Sequence, residues 1–322
     1  MSASLRCRGV VGHGVTRLPG SQMSLGRRIV SSWQLYVFLV PAILFIAIFR
    51  YGPMFGLQLA FKSYNIRLGI WRSPWIGFAH FERLFSYYRF AEVFLNSVIL
   101  AVYKLAACFP LPIILAIALN EVRSIRLRRT LQTITYAPYF ISVVIVVGMV
   151  MQIFSPHFGI YSMVRQALGY QPIDIMSNPV NFRHLFVWTD VWQLTGYSAI
   201  LYIAALSNVP PELYEAADID GASKFQRIRR IDLPSLLPTA TILLILEAGR
   251  MMDISFEKVI LLQSPINLRT SEVLTTYVYK VGLLDGYFDL ATAGGLINSV
   301  VNFLLLVTVN TIARRMGETS LW

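Results

Sequence analysis

Residues 210–238 read P-P-E-L-Y-E-A-A-D-I-D-G-A-S-K-F-Q-R-I-R-R-I-D-L-P-S-L-L-P, a charged island between two long apolar runs. Pro211 suits the first turn of a helix, where a missing N–H has no intrahelical bond to lose. Glu212, Glu215 and Asp218 set negative charge near the positive end of the helix dipole. Gly221 then breaks the run, because a residue without Cβ takes the positive φ that ends one helix and starts another. The second helix is predicted over roughly Ser223 to Asp232. It spaces Phe225, Ile228 and Ile231 three apart, gathers Lys224, Arg227, Arg229 and Arg230, and is closed by Pro234. The reading is two short helices at an angle, held between prolines at a membrane surface.

The membrane follows from what surrounds the island. The 322 residues are 56% hydrophobic and only 14% charged, a composition that excludes a water-soluble globular domain. The formal charge of +11 sits in basic clusters beside apolar runs, as the positive-inside rule expects, so it calls for no nucleic acid partner. Cys7 lies in an N-terminal tail and Cys108 in an apolar span, which leaves neither a disulfide framework nor a thiolate metal site.

Six spans are predicted, at about 34–58, 91–120, 131–155, 185–207, 236–262 and 289–312. Each is near the roughly 20 residues that a helix needs to cross about 30 Å of hydrocarbon. Residues 1–32 read as a cytoplasmic tail, within which Met23 offers a second start; the first span carries no cleavage site and is read as uncleaved. Residues 33–315 then form the transmembrane domain, with the charged loop at 209–235 and a short cytoplasmic tail at 316–322. Pro110 and Pro112 should kink the second span. Basic clusters at 27–28, 123–129, 224–230 and 314–315 share one face, which places both termini in the cytoplasm. Lys62, Arg67, Arg72, Arg83 and Arg89 then fall in the first outer loop, against the trend.

No G-x-x-x-x-G-K-[ST] motif is present, so the chain is read as a non-catalytic subunit that binds no cofactor, with its energy supplied by another polypeptide. No catalytic or metal-ligand pattern is found, and His13, His80, His157 and His184 read as solvated surface groups. The informative polar residues lie inside spans, where ionisable groups are costly and face a bundle interior or a water-filled path. Continuing the fifth span as one helix puts Glu247, Arg250, Asp253 and Glu257 in a stripe about 120° wide. Glu247 would lie about 16 Å into the bilayer, free to line a path or to neutralise Arg250. The fourth span offers Asp190, Trp192, Gln193, Tyr197 and Tyr202, rings for the C–H face of a pyranose and polar tips for its hydroxyls. Asn298 and Asn302, one turn apart in the sixth span, complete the substrate-path candidates. Arg250 and Lys104 suit an anionic sugar.

Glu215-Ala-Ala217, Asp220-Gly-Ala222 and Leu233-Pro234 resemble the EAA loop of permease subunits in bacterial ABC importers. Tyr51-Gly-Pro-Met-Phe-Gly56, Ser73-Pro-Trp-Ile-Gly77, Phe109-Pro-Leu-Pro112, Gln132-Thr-Ile-Thr-Tyr136, Thr276-Tyr-Val-Tyr279 and Ser320-Leu-Trp322 are similar to the polysaccharide branch of the maltose-type carbohydrate importers. The likeness covers about residues 30–322. It implies an all-α, type I importer permease fold, with six transmembrane helices and a cytoplasmic coupling helix. It further implies a heterodimer with a second permease in the bacterial inner membrane, two ATPase subunits carrying ATP and Mg, and a solute-binding protein outside. The cargo would be an oligosaccharide, acidic and alginate-like in one reading, moved by alternating access. Glu215, Ala216, Ala217, Asp220 and Gly221 would dock the ATPase. An ion-coupled sugar carrier and a membrane sugar transferase are the rival readings; the first would work alone, and the second needs an acidic cytosolic motif that the chain lacks.

Overall fold

In the computed structural model, residues 33–317 and 320–321 are described, and they are almost wholly helical. By contacts the chain divides at Phe55 and Gly56 into two units. In the first, α1 (Trp33–Ile46) runs into a π turn at Ala47–Tyr51 and then into a 3-10 segment, Gly52–Phe61, whose residues from Gly56 on belong to the second unit. The expected tail at residues 1–32 lies outside the described residues.

The second unit opens with α2 (Gly69–Arg72), α3 (Ala79–Ser86), α4 (Phe90–Cys108) and α5 (Pro110–Asn120). After α6 (Ile125–Tyr136) and the 3-10 turn Ala137–Phe140 come α7 (Val143–Ile153), α8 (Ile160–Ala167) and α9 (Pro179–Ser207). The charged island forms α10 (Pro211–Ile219) and α11 (Lys224–Arg227), and α12 (Leu233–Ala248) follows. Three short helices, α13 (Phe256–Leu262), α14 (Leu268–Ser271) and α15 (Leu274–Tyr279), lead to α16 (Phe288–Arg315).

Among the described residues, four helices are long and apolar enough to cross a membrane: Trp33–Phe61, Phe90–Asn120, Lys224–Ala248 and Phe288–Arg315. The pair Ile125–Phe140 and Val143–Ile153 is apolar enough together but bent by 99° between its halves, the form of a broken span or of a re-entrant loop. The expected fourth span, α9, has 29 residues, about 43 Å of helix; its polar side chains keep it out of that hydropathy count. Those side chains have a place to go. Phe182, Phe186, Val187, Asp190, Gln193, Gly196, Ala199, Tyr202 and Leu206 are the buried residues of α9; mostly three apart, they form a stripe that winds around the helix, as covering by several neighbours requires. Around that stripe pack α4, α5, α6, α12, α13 and α14.

Three expectations need correcting. Pro234 does not close the second helix of the island, because a π turn at Ile228–Asp232 precedes it and the helix runs on to Ala248; the wider turn hands over to α12 where the proline's missing N–H falls. The fifth span does not reach 262 as one helix. It stops at Ala248, and α13 starts at Phe256. Asn302 of α16 holds the break, accepting from the Met252 N–H at 2.9 Å and donating to Asp253 Oδ1 at 2.9 Å. The stripe of Glu247, Arg250, Asp253 and Glu257 on one helix is thereby overturned.

Finally, His80 is not a solvated surface group: it is buried, bonded to the Lys62 carbonyl at 3.0 Å and 3.3 Å from Asp289. The outer-loop cations are also largely in use. Lys62 is buried against the Ile70 carbonyl and the Trp75 ring, Arg83 lies over Tyr287, and Arg89 sits 3.1 Å from Glu272.

Candidate functional site

Two places gather the predicted residues. At the first, Gly221 adopts φ +68° between α10 and α11, the left-handed conformation that lets the chain turn. Ser223 and Gln226 then close a capping box, each side chain bonded to the other's backbone N–H. Glu215, Ala216, Asp220 and Gly221 are exposed and Ala217 is half-buried.

The loop is fastened to two membrane helices. Tyr214 of α10 donates to Asp232 at 2.5 Å, and Asp232 is fully buried at the start of α12. Arg227 lies 2.7 Å from Asp218 and 3.5 Å from Glu121, the residue after α5, with Lys224 3.9 Å from the same carboxylate. Burial, then the bond to Asp232 and its negative charge, push the Tyr214 phenol up to about 12. The spacing of the island gave no sign of this fastening, since Glu121 is remote in sequence and Asp232 reads as one polar residue among several.

The second place is a cavity of about 540 Å³ walled by α4, α5, α9 and the broken fifth span. Tyr197, Glu247, Arg250 and Asp253 line it, together with Lys104 and Tyr202. Tyr197 stacks on Tyr139, with ring centres 3.7 Å apart and planes 5° from parallel. Glu247 and Arg250 are exposed, line this space and do not pair with each other within salt-bridge distance, so of the two alternatives the arrangement matches lining a path and not mutual neutralisation. Asp253 accepts from Asn298 and Asn302, each at 2.9 Å; the two asparagines reach the cavity only through that carboxylate.

Two candidates from α9 lie elsewhere. Gln193 is buried and donates to the Ile141 carbonyl at 2.8 Å, at the corner of the bent pair. Trp192 lines a separate apolar groove with Trp188 and His184. At 100° per residue, Trp192 and Tyr197 point to different sides of α9, which their closeness in sequence hides.

Sequence reasoning missed Lys258. It is 1% exposed, within the apolar run of α13, and its Nζ lies 2.5 Å from Asp190 Oδ1 and 3.0 Å from the Phe186 carbonyl. Lys104 approaches the other oxygen of Asp190 at 3.1 Å. A lone lysine in an apolar helix, with an unpaired aspartate predicted in another span, was the available signal.

Comparison with known proteins agrees with this architecture. Protein LplB of Bacillus subtilis is 38% identical over 288 residues, covering 89% of this chain and 91% of that protein. The polygalacturonan/rhamnogalacturonan transport system permease protein YteP of the same organism is 35% identical over 295 residues, covering 92% of each. A chain in the crystal structure of a bacterial ABC transporter for import of the acidic polysaccharide alginate superposes with a TM-score of 0.84 at 38% identity, over 91% of this chain and 99% of that one. A second such structure, of the bacterial alginate transporter in complex with alginate pentasaccharide-bound periplasmic protein, gives 0.85 at 37% identity, over 93% and 100%. Residues 109–318, which hold the charged island and most of the cavity wall, match the family described as binding-protein-dependent transport system inner membrane component, and the chain belongs to that family.

Proposed function

We propose that this chain forms one half of the translocation path of an ATP-driven importer for acidic oligosaccharides. A second, similar permease supplies the other half, two ATPase subunits bind ATP and Mg, and a solute-binding protein delivers the cargo from outside. The carrying observation is the cavity at the broken fifth span, whose lining joins the exposed ring of Tyr197 with Lys104 and Arg250. Rings offer a face to the apolar side of a sugar, and cations meet its carboxylates. Relatives named for alginate and polygalacturonan transport support the acidic class.

In this reading Glu215, Ala216, Ala217, Asp220 and Gly221 contact the ATPase, and the ties at Asp232 and Glu121 pass its movement to α12 and α5. Trp192 and Gln193 fall outside the path; Asn298 and Asn302 serve it by holding Asp253. Both termini lie in the cytoplasm.

The test is reconstitution of the full complex in proteoliposomes, with uptake of acidic and neutral oligosaccharides followed with and without ATP. ATP-dependent uptake that requires the binding protein and favours the acidic chain is expected. Uptake by this chain alone, without an ATPase, would overturn the reading in favour of an ion-coupled carrier.

A further inference from the structure

Inside the bundle, one carboxylate faces two ammonium groups. Asp190 of α9, only 5% exposed, meets Lys258 of α13 at 2.5 Å and Lys104 of α4 at 3.1 Å. A single carboxylate balances a single lysine, so the cluster holds a surplus positive charge in a region where an uncompensated charge is expensive.

The two lysines are not equivalent. Lys258 is saturated: besides Asp190 Oδ1 it bonds to the Phe186 carbonyl, and its Nζ lies 4.9 Å from the centre of the Phe186 ring. Lys104 makes one ionic contact, to Asp190 Oδ2 at 3.1 Å. The Lys104 side chain is 29% exposed and lines the cavity alongside Arg250. The surplus cation is therefore the one that opens onto the path.

We infer that Lys104 is a specificity-determining residue that takes a substrate carboxylate in the cavity, with the Asp190–Lys258 pair as its fixed support. In the empty cavity the ammonium rests against Asp190. An incoming uronate carboxylate gives it a properly aligned charge-assisted hydrogen bond, which is the stronger kind. Asp190 keeps Lys258 on Oδ1 throughout, so the carboxylate retains one cation when Lys104 turns away. Glu247 and Asp253 line the same cavity. Asp253 is engaged by two amides, while Glu247 repels an acidic chain on its own side and so narrows where the carboxylate can settle. This inference rests on the importer reading.

The experiment compares Lys104→Gln and Lys104→Arg in the reconstituted complex, using an acidic tetrasaccharide and the same chain with its carboxyls reduced to alcohols. Both are presented at saturating binding protein, and gel filtration confirms that each complex assembles. Lys104→Gln should lower maximal uptake of the acidic chain about tenfold while changing the reduced chain less than about twofold, for one charged contact of this type. Lys104→Arg should restore most of the acidic rate. Equal loss for both chains, no loss for either, or no rescue by arginine would overturn the assignment. A wild-type complex that imports neither chain would instead sink the importer reading itself.

Discussion

Gly196 sets how closely α9 can approach α6. A Cβ at that position would stand 1.9 Å from the Thr135 carbonyl oxygen, so Gly196→Ala must force the two backbones apart. Overpacking of this sort costs about 1–3 kcal/mol, and a lower thermal midpoint for the detergent-solubilised variant is expected; an unchanged midpoint would show that α9 tolerates the shift. Gly221 presents the opposite case, with nothing within 4 Å of an added Cβ but a φ of +68°. There Gly221→Ala carries only the left-handed backbone cost of about 1–2 kcal/mol, and Gly221→Pro, whose ring fixes a negative φ, should abolish coupling while leaving membrane insertion intact. The first glycine was illegible in the sequence because its reason is a strand of backbone far along the chain. The second could be read directly, because a turn between two helical patterns is a local demand.

Among the elements, α10 is worked by its two ties. Tyr214→Phe removes the bond to buried Asp232, worth about 1.5–3 kcal/mol for a charged partner, and should raise the number of ATP molecules hydrolysed per sugar imported. An unchanged ratio would make the tie purely structural. The sign of its pH dependence follows from the phenol: a folded pKa raised from the ordinary 10.0 to about 12 means the tie is fully present below pH 10 and is lost as pH climbs toward 12. Coupling should therefore be flat between pH 6 and 9, in units of about one pH step, as far as this bond is concerned.

The exposed side of α10 supports a separate expectation. Replacing Glu215 and Asp220 together by Lys should abolish co-purification with the ATPase, and normal association would remove the docking role. Helix periodicity located the island well, yet it joined the fifth span across residues 249–255, because Met251, Met252 and Ile254 keep the apolar pattern going. The break is decided by Asn302, a partner on α16. Asn302→Ala leaves the Met252 N–H without that acceptor, a loss of about 1–3 kcal/mol, and a drop in folded yield after detergent extraction would register it.

At the scale of the whole molecule, the basic clusters at 123–129, 224–230 and 314–315 predict orientation. A periplasm-dependent reporter fused after residue 315 or within 209–235 should be silent, and one placed at 158–175 active; the reverse pattern would invert the chain. Composition and hydropathy made the membrane setting and the four plainest spans legible. They also placed α9, expected at about 185–207 and found at Pro179–Ser207, but not the partners of its polar residues, which belong to an interior made by six neighbouring helices.

The paired rings of Tyr139 and Tyr197 bear on how long a cargo this protein can handle. Tyr197 lines the cavity and is backed by the parallel ring of Tyr139, which holds it in place. A π face grips every pyranose in much the same way and prefers no register along a polymer. In the proposed importer, such a ring would let a sugar chain advance past it without fixing its register.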